Sequence, residues 1–170
     1  FSLAAVVGSA RFIGQTLSSV PWILDEPRPS LPDLVVEDVT ARSTMERLVR
    51  EGVSIAFSAL PTEQARALEP LWAEAGITVF SNASAYRGHP GIPLVVPEIN
   101  PSELDLLAGS ENGKQACATN CTLLPLVMPL AALHEQFGLV SYTMRSEQGL
   151  SGGGHPYMME ALANGSVDPV

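Results

Sequence analysis

Short apolar runs alternate with amphipathic stretches along the first hundred residues. The apolar runs predict five strands, at residues 3–8, 33–39, 53–60, 77–82 and 92–99. They are continuous rather than alternating, which is typical of a sheet covered on both faces. The stretches "STMERLVREG" and "PTEQARALEPLWAEAG" predict two helices, with Ser43 as the N-cap of the first and Gly52 and Gly76 as the stops. This alternation predicts an α/β fold with a doubly wound, mostly parallel sheet.

Proline and glycine interrupt this pattern in several places. A glycine-punctuated turn and a short helical pattern follow the first strand, and residues 21–33, with four prolines, predict a loop. A second break at residues 109–114 precedes a helix at about residues 121–137 and a strand at residues 139–148. A glycine-rich segment then leads to a short helix at residues 157–164. Because a single strand leaves its backbone groups unpaired, we expect residues 139–148 to pair with another copy, another chain or residues outside this sequence.

The composition excludes several classes of protein. Of the 170 residues, 46% are hydrophobic, which is enough to bury a core. The longest apolar run, residues 123–133, contains two prolines and is too short for a membrane span. The net charge of −9 argues against non-specific nucleic-acid binding, which requires basic residues. Two cysteines form no disulfide framework and supply too few ligands for a structural zinc site, so we expect no metal. No signal-peptide pattern is visible, and we expect a reducing, cytoplasmic setting.

Both cysteines lie in the segment "ACATNCTLLP", just before the helix predicted at residue 121. Asn120 is a suitable N-cap, which would put the Cys121 thiol in the first helical turn. There the unpaired N–H groups and the helix dipole favour the thiolate, the reactive form of cysteine. The alternative is a buried structural cysteine, the commoner role beside an apolar run. Cys117 has no comparable position and is assigned to the core.

Two glycines mark the turn after the first strand. Gly8 and Gly14 stand six residues apart in "VVGSARFIGQ". In a dinucleotide-binding fold, such glycines allow a tight turn and close approach of a helix N-terminus to the pyrophosphate. Arg11 stands where a glycine would let the backbone approach the phosphate. An ordinary strand-turn-helix connection explains the same residues.

Other polar residues stand near glycine-rich turns. Arg87, in the loop "SNASAYRGHPG", could bind a phosphate or carboxylate through two hydrogen bonds, or could be a solvated loop arginine. Gln148 and Ser151 precede three consecutive glycines, a pattern that suits close approach to a ligand or a flexible loop. The three histidines stand singly; His134 is expected on the surface, and His155 is the one that could lie near the thiol.

Several segments together resemble the aspartate-semialdehyde dehydrogenases, most closely those of fungi and archaea. They are "VGSARFIGQ", "AFSALPTEQARALEPLWAEAGITVFSNASAYR", "PLVVPEINP", "TNCT" and "EQGLSGGG", in the family's order over nearly the whole chain. The resemblance implies a Rossmann-like NADP-binding domain at residues 1–115 and, at residues 116–170, the start of a second α/β domain for catalysis and dimerisation. It also implies interconversion of aspartyl phosphate and aspartate semialdehyde, an oxidoreductase reaction of amino-acid biosynthesis.

The same resemblance implies roles for individual residues. Cys121 matches the nucleophile, which forms a thiohemiacetal and a thioester, and Gln148 matches a glutamine that orients the substrate. Arg87 matches a phosphate-binding arginine, and Asn120 lies in the same substrate-binding group. The expected contacts to NADP are Gly8, Ser9, Arg11, Phe12, Ile13, Gly14, Ser151 and Gly152. Cysteine chemistry suits this reaction, because a soft nucleophile forms an acyl-enzyme that either accepts hydride or is attacked by phosphate.

Four departures from the family pattern suggest an alternative function. Arg11 replaces a glycine, and a proline-rich loop stands where the family has a strand and a Ser/Arg loop for the adenosine ribose and 2′-phosphate. "ATNCT" replaces an Asn-Pro-Asn-Cys-like sequence, and the general-base histidine and the substrate arginine are expected from outside this sequence. The alternative is a degenerate homologue with weak or lost NADP binding, acting as a cysteine-dependent acyl-transfer subunit or a non-catalytic subunit. In both cases we expect a homo-oligomer or a partner of a second subunit.

Overall fold

The chain folds into two units, Phe1–Thr119 and Asn120–Val170. The computed structural model describes residues 2–22, 24, 26–108 and 114–165. The break predicted at residues 109–114 lies, apart from Lys114, outside these described residues. Within the described residues, no helix is long and apolar enough to cross a membrane.

The first unit is built from short parallel strands and two α-helices. Its elements are β1 (Val6–Gly8), β2 (Val36–Asp38), α1 (Arg42–Arg50), β3 (Ile55–Ser58), α2 (Thr62–Glu74), β4 (Thr78–Ser81), β5 (Leu94–Val95) and β6 (Gln115–Ala118). Two 3-10 helices, Leu17–Ser19 and Pro101–Leu107, lie between them. β1 pairs with β2, and the other four strands form a sheet in the order β3-β4-β6-β5. All these pairings are parallel, which confirms the predicted α/β class with a parallel sheet.

The core of this unit lies where α1 and α2 pack on the strands. Ile77 has no exposed surface, and the Trp72 indole donates a hydrogen bond to the Val39 carbonyl at 3.3 Å. The buried core cluster consists of Val39, Leu48, Trp72, Ala73, Ile77 and Val79. These residues come from both helices and from two of the strand regions. Burial of apolar surface between helix and strand layers therefore holds the unit together.

The continuous apolar runs predicted a sheet covered on both faces, and this prediction is wrong at β3. Ala56 packs against the core, and the next residue of β3, Phe57, points to the opposite face. There Phe57 is 86% exposed and stacks on Phe80, with ring centroids 5.8 Å apart. One face of the sheet is therefore open at this strand.

The N-cap predicted for α1 is wrong by two residues. The helix begins at Arg42 with Ala41 as its N-cap, and Ser43 lies inside the first turn. An Asp38 carboxylate oxygen accepts hydrogen bonds from the Thr40 N–H and hydroxyl at 2.8 and 2.7 Å. This turn lets the helix begin at Arg42, one residue before the serine that was predicted to be its N-cap. The predicted stops are confirmed, because Gly52 and Gly76 have φ values of 84° and 98° just past their helices.

Helix α2 contains a proline whose effect is compensated from outside the helix. Pro70 has no N–H, so the Arg66 carbonyl one turn earlier lacks its usual intrahelical donor. The Tyr86 hydroxyl donates to this carbonyl at 2.6 Å. The bond therefore ties the loop after β4 to the middle of α2.

The strand β6 was not predicted. It lies between β4 and β5, and Gln115, Ala116 and Cys117 are all buried. Its four residues, "QACA", have neither the length nor the β-branched side chains that identify a strand in sequence. β6 belongs wholly to the first unit and extends three residues beyond the predicted domain boundary at residue 115.

The helix predicted after β1 is also wrong. Among the described residues between β1 and β2, the only helical segment is the 3-10 helix Leu17–Ser19. The backbone here pairs with the approach to β2 instead: Gly14 donates to the Val36 carbonyl at 2.9 Å and Val36 donates to the Gln15 carbonyl at 2.8 Å. A further bond joins the Leu17 N–H to the Leu34 carbonyl at 2.7 Å. These bonds use the groups that an α-helix would pair internally.

The second unit contains the helices α3 (Leu124–Phe137) and α4 (His155–Asn164) and a 3-10 helix, Leu150–Gly153. The helix predicted at residues 157–164 is thus confirmed, whereas residues 139–148, predicted to be a strand that pairs outside this sequence, form no strand within this chain. These residues form neither helix nor strand, and the described part of the second unit contains no strand with which they could pair. Val140, Tyr142 and Met144 are exposed, and Val140 is 97% accessible.

Candidate functional site

Cys121 occupies a turn at the start of the second unit. Residues 121–123 form the turn, and α3 itself begins at Leu124 rather than at Cys121. The Asn120 side-chain oxygen accepts a hydrogen bond from the Leu123 N–H at 2.8 Å, and the Asn120 carbonyl accepts one from Leu124 at 3.3 Å. Asn120 therefore acts as a cap, one turn before the helix proper. The thiol is exposed, which excludes the alternative that Cys121 fills the core.

Gln148 contacts the Cys121 sulfur. Its side-chain nitrogen donates a hydrogen bond to Sγ at 3.5 Å, and both residues belong to the second unit. Sulfur accepts hydrogen bonds weakly as a thiol and more strongly as a thiolate. The structure therefore places an exposed thiol beside an amide donor from 27 residues further along the chain.

Cys117 lies in a different environment. It is 2% exposed on β6, and both cysteines are free. Burial raises the pKa of the Cys117 thiol, and the negative charge of Glu69 raises it further. A buried thiol held in its neutral form is a poor nucleophile. This fits the core role predicted for Cys117.

We expect iodoacetamide to label Cys121 at least about tenfold faster than Cys117 near pH 7 in the folded protein, because only Cys121 is accessible and Cys117 stays protonated. Peptide mapping by mass spectrometry after timed alkylation measures both rates. Repeating the reaction in denaturant is the control, since it should bring the two rates together. Equal, slow labelling of both residues in the folded protein would remove the nucleophile assignment.

Arg87 donates hydrogen bonds to backbone carbonyls at the ends of two strands in the first unit. Its Nε donates to the Ala118 carbonyl at 2.9 Å, and its Nη2 donates to the Asn82 carbonyl at 2.8 Å. These bonds use one edge of the guanidinium and leave three of its five N–H groups without a hydrogen bond to the described residues. The side chain is half-buried, so it is not a freely solvated loop arginine. The outer edge has the geometry to bind an anion through two parallel hydrogen bonds.

The turn after β1 gives each of its two glycines a physical reason. A Cβ on Gly8 would lie 3.1 Å from the Val36 side chain, and Gly14 has φ +80°, which favours glycine. Between them the Phe12 N–H bonds to the Ser9 carbonyl at 3.0 Å, and the Arg11 guanidinium lies 5.1 Å from the Phe12 ring centre. The exposed residues of this turn are Ser9, Ala10, Arg11, Ile13 and Gly14. No α-helix follows the turn among the described residues, so the helix N-terminus expected to face a pyrophosphate is missing.

The glycine-rich segment after Gln148 forms a tight turn. Ser151 and Gly152 lie in the 3-10 helix Leu150–Gly153, and both are exposed. The Gly152 N–H bonds to the Gly149 carbonyl at 2.9 Å. His134 is exposed on α3, as predicted, whereas the side chain of His155 lies outside the described part of the structure. The described residues contain no group of three His, Cys, Asp or Glu side chains able to hold a metal ion.

Sequence reasoning missed a buried polar cluster in the first unit. Glu69 is 2% exposed, and its carboxylate accepts hydrogen bonds from the Ser81 hydroxyl and the Gln115 amide, each at 2.7 Å. The cluster therefore joins α2 to β4 and β6. The available signal was the spacing of Glu69 on α2, four residues after buried Ala65 and three before buried Trp72.

Comparison with known proteins agrees with this architecture. Residues 1–107 match the family described as Semialdehyde dehydrogenase, NAD binding domain. An aspartate-semialdehyde dehydrogenase of Archaeoglobus fulgidus is 35% identical over 175 residues, covering 99% of this chain and 49% of that protein. The enzyme of Saccharomyces cerevisiae is 32% identical over 167 residues, covering 91% of this chain and 44% of that protein.

A solved structure shows the same likeness. The crystal structure of aspartate semialdehyde dehydrogenase with NADP from Candida albicans superposes with a TM-score of 0.68 at 30% identity, covering 82% of this chain and 41% of that chain. The chain spans about half the length, or less, of the curated relatives it matches. Since the family's NAD binding domain matches well over half of the residues, the chain belongs to the semialdehyde dehydrogenase family.

Proposed function

We propose that the protein acts in the NADP-dependent interconversion of an acyl phosphate and a semialdehyde, namely aspartyl phosphate and aspartate semialdehyde, through a thioester on Cys121. The observation that carries this proposal is the exposed Cys121 sulfur with the Gln148 amide 3.5 Å away, in a chain with the family's NAD binding domain. Relatives named aspartate-semialdehyde dehydrogenase match nearly the whole chain, which supports the choice of substrate.

Each proposed step has a role for these residues. In the reductive direction the Cys121 thiolate attacks the acyl carbon, the bond to phosphate breaks, and the thioester forms. The outer edge of Arg87 is proposed to bind the phosphate, and Asn120 and Gln148 to orient the substrate. NADPH, where bound, would supply hydride to the thioester carbon and so give the thiohemiacetal anion held on Cys121. Collapse of the thiohemiacetal releases the aldehyde and returns the electron pair to sulfur.

The residues after β1 fit a dinucleotide in part. The exposed turn with Gly8 and Gly14 suits backbone approach to a pyrophosphate, and Ser151 and Gly152 are the proposed contacts near the nicotinamide. The α-helix expected after this turn is absent among the described residues, and the loop at residues 21–33 has no described strand for the adenosine ribose. We therefore propose that the first unit, Phe1–Thr119, is an NADP-binding domain of reduced affinity and that the second unit, Asn120–Val170, is the start of the catalytic domain.

We expect NADP to bind more weakly than about 1 μM, or about −8 kcal/mol, because the helix N-terminus is missing and Arg11 replaces a glycine. Isothermal titration calorimetry measures the affinity directly. The variant Arg11→Gly is the matched test, since it should strengthen binding if the arginine keeps the phosphate away. A micromolar or tighter Kd in the unmodified protein would contradict this prediction.

The same cofactor observations favour a second function. A chain that binds NADP poorly but keeps an accessible Cys121 would act as an acyl-transfer subunit, or as a non-catalytic partner of another subunit. In that case Cys121 would still be acylated, but no hydride would be transferred. The two functions therefore differ in one measurable product.

The decisive experiment supplies aspartate semialdehyde, inorganic phosphate and NADP to the purified protein as it occurs. The proposed function requires NADPH to appear only when all three are present. Intact-mass measurement after addition of an activated acyl ester reports Cys121 acylation separately. Acylation without any NADPH would support the second function, and the absence of both would contradict the cysteine mechanism.

Exposed apolar side chains of the second unit support a proposed oligomer or second subunit. Phe137 and Val140 are 80% and 97% exposed, and Tyr142 and Met144 are also exposed. Exposed apolar groups on this scale are typical of surfaces that bind another protein chain. A cytoplasmic setting is part of the same proposal, because free thiols such as Cys117 and Cys121 persist in a reducing compartment.

We expect the protein to be oligomeric at low micromolar concentration, because water-exposed Phe137 and Val140 would otherwise stay uncovered. Size-exclusion chromatography with light scattering measures the mass, and the variants Phe137→Ser and Val140→Ser should lower it. A matched control is Phe57→Ser, which removes an exposed aromatic from the first unit. A monomer whose melting temperature does not change with concentration would contradict the prediction.

A further inference from the structure

The glycine-rich turn packs directly against the Gln148 side chain. A Cβ built on Gly152 would lie 1.7 Å from the Gln148 side-chain nitrogen, 2.4 Å from Cδ and 2.6 Å from Cγ. Real Cβ atoms essentially never come within 3.0 Å of such neighbours. Any side chain at position 152 would therefore force the Gln148 amide to move.

The backbone does not require glycine at this position. Gly152 is absent from the described glycines with positive φ, so its conformation is open to other residues. The atoms it would displace all belong to the flexible side chain of Gln148 and none to the backbone, so this side chain can rotate away without unfolding the turn. Glycine at position 152 therefore leaves room for the Gln148 amide, and it is not needed for the backbone conformation.

We propose that Gly152 is a positioning residue that acts through Gln148, by leaving the space from which the amide reaches the Cys121 sulfur. The contact it protects is the 3.5 Å bond from Gln148 to Sγ. This role is distinct from a contact to the nicotinamide, because it concerns the protein's own side chains in the absence of cofactor. Its effect on turnover rests on the proposed function, whereas its effect on the Gln148 amide does not.

The same turn provides a matched control. A Cβ on Gly149 would meet only the Ser151 hydroxyl, at the ordinary contact distance of 3.8 Å. Gly149 has φ −64° and ψ 151°, which alanine adopts without strain. Gly149→Ala therefore adds the same methyl group to the same turn without touching Gln148.

The test is a double-mutant cycle on the protein as it occurs, with Gly152→Ala, Gln148→Ala and the pair. The readouts are the rate of Cys121 alkylation by iodoacetamide near pH 7 without cofactor, and kcat and KM with aspartate semialdehyde. We expect Gly152→Ala and Gln148→Ala each to slow alkylation by about three- to tenfold, as loss of one ordinary intramolecular hydrogen bond would. The pair should be no slower than either variant, because the amide is then already absent. Turnover should fall through kcat rather than KM.

Several results would overturn the proposal. Alkylation of Gly152→Ala at the rate of Gly149→Ala and the unmodified protein would show that the amide needs no such space. A pair whose losses multiply would show that Gly152 acts on something other than Gln148. If Gly152→Ala alone fails to fold, the double variant tests the proposal. It should fold, because Gln148→Ala removes the side chain that clashes with the new methyl group, and its failure to fold would contradict the proposal. If no variant and no unmodified protein turns over substrate, the proposed function fails while the alkylation cycle still tests the positioning role.

Discussion

Replacing Cys121 with serine is expected to abolish the phosphate-dependent oxidation of aspartate semialdehyde, with a loss of at least about a thousandfold in kcat. A serine hydroxyl is far less acidic than a thiol, and its ester is a poorer acyl donor than a thioester. The Gln148 amide would remain beside the residue, but it could not supply the missing nucleophilicity. Steady-state formation of NADPH measures the loss, and KM should change far less than kcat.

Cys117→Ala is the matched control for this experiment. Cys117 is buried on β6 and has a raised pKa, so its removal should leave turnover nearly unchanged. A Cys121→Ser variant that keeps more than about a tenth of the activity would show that the thiol is not the nucleophile. A Cys117→Ala variant that loses activity while still melting normally would move the assignment to the buried cysteine.

Glu69→Ala is expected to lower the free energy of unfolding by about 3 kcal/mol or more. The substitution leaves the Ser81 hydroxyl and the Gln115 amide buried without an acceptor, and it also leaves a cavity under α2. Each unsatisfied buried donor costs about 1–3 kcal/mol, which sets the size of the effect. Urea denaturation followed by circular dichroism measures the change.

Two further variants test the origin of this effect. Glu69→Gln keeps the size of the side chain and one acceptor oxygen, so its cost should be smaller than that of alanine. Glu63→Ala removes an exposed carboxylate from the same helix and should cost less than about 1 kcal/mol. Equal midpoints for Glu69→Ala and the unmodified protein would show that the buried cluster contributes nothing to stability.

The parts of the fold that depend on local pattern could be predicted from sequence. Helices α1 and α2 follow from their apolar spacing, and Gly52 and Gly76 end them because positive φ favours glycine. Strands β3 and β4 follow from continuous apolar runs. In each case, residues close together in the chain decide the structure.

The parts of the fold that depend on residues distant in the chain could not be predicted from the sequence. β6 is a strand because β4 and β5 lie on either side of it, and its small residues carry no strand signal of their own. The chain after β1 is not an α-helix because its backbone bonds to residues 34–36. The Glu69 cluster joins three positions that no periodicity relates. The family resemblance implies a role for Cys121 and a role for Gln148, and only the structure shows the contact between them.

The bond from Tyr86 to the Arg66 carbonyl makes the residues tolerated at positions 70 and 86 depend on each other. The tyrosine hydroxyl occupies the place of the amide that Pro70 lacks. A descendant that replaced Pro70 with a residue carrying an N–H would repair the helix from within, and position 86 would then be free to lose its hydroxyl. A descendant that lost the hydroxyl first would leave a helix carbonyl without a donor. Changes at residues 70 and 86 are therefore expected to occur together, with the proline lost before the tyrosine.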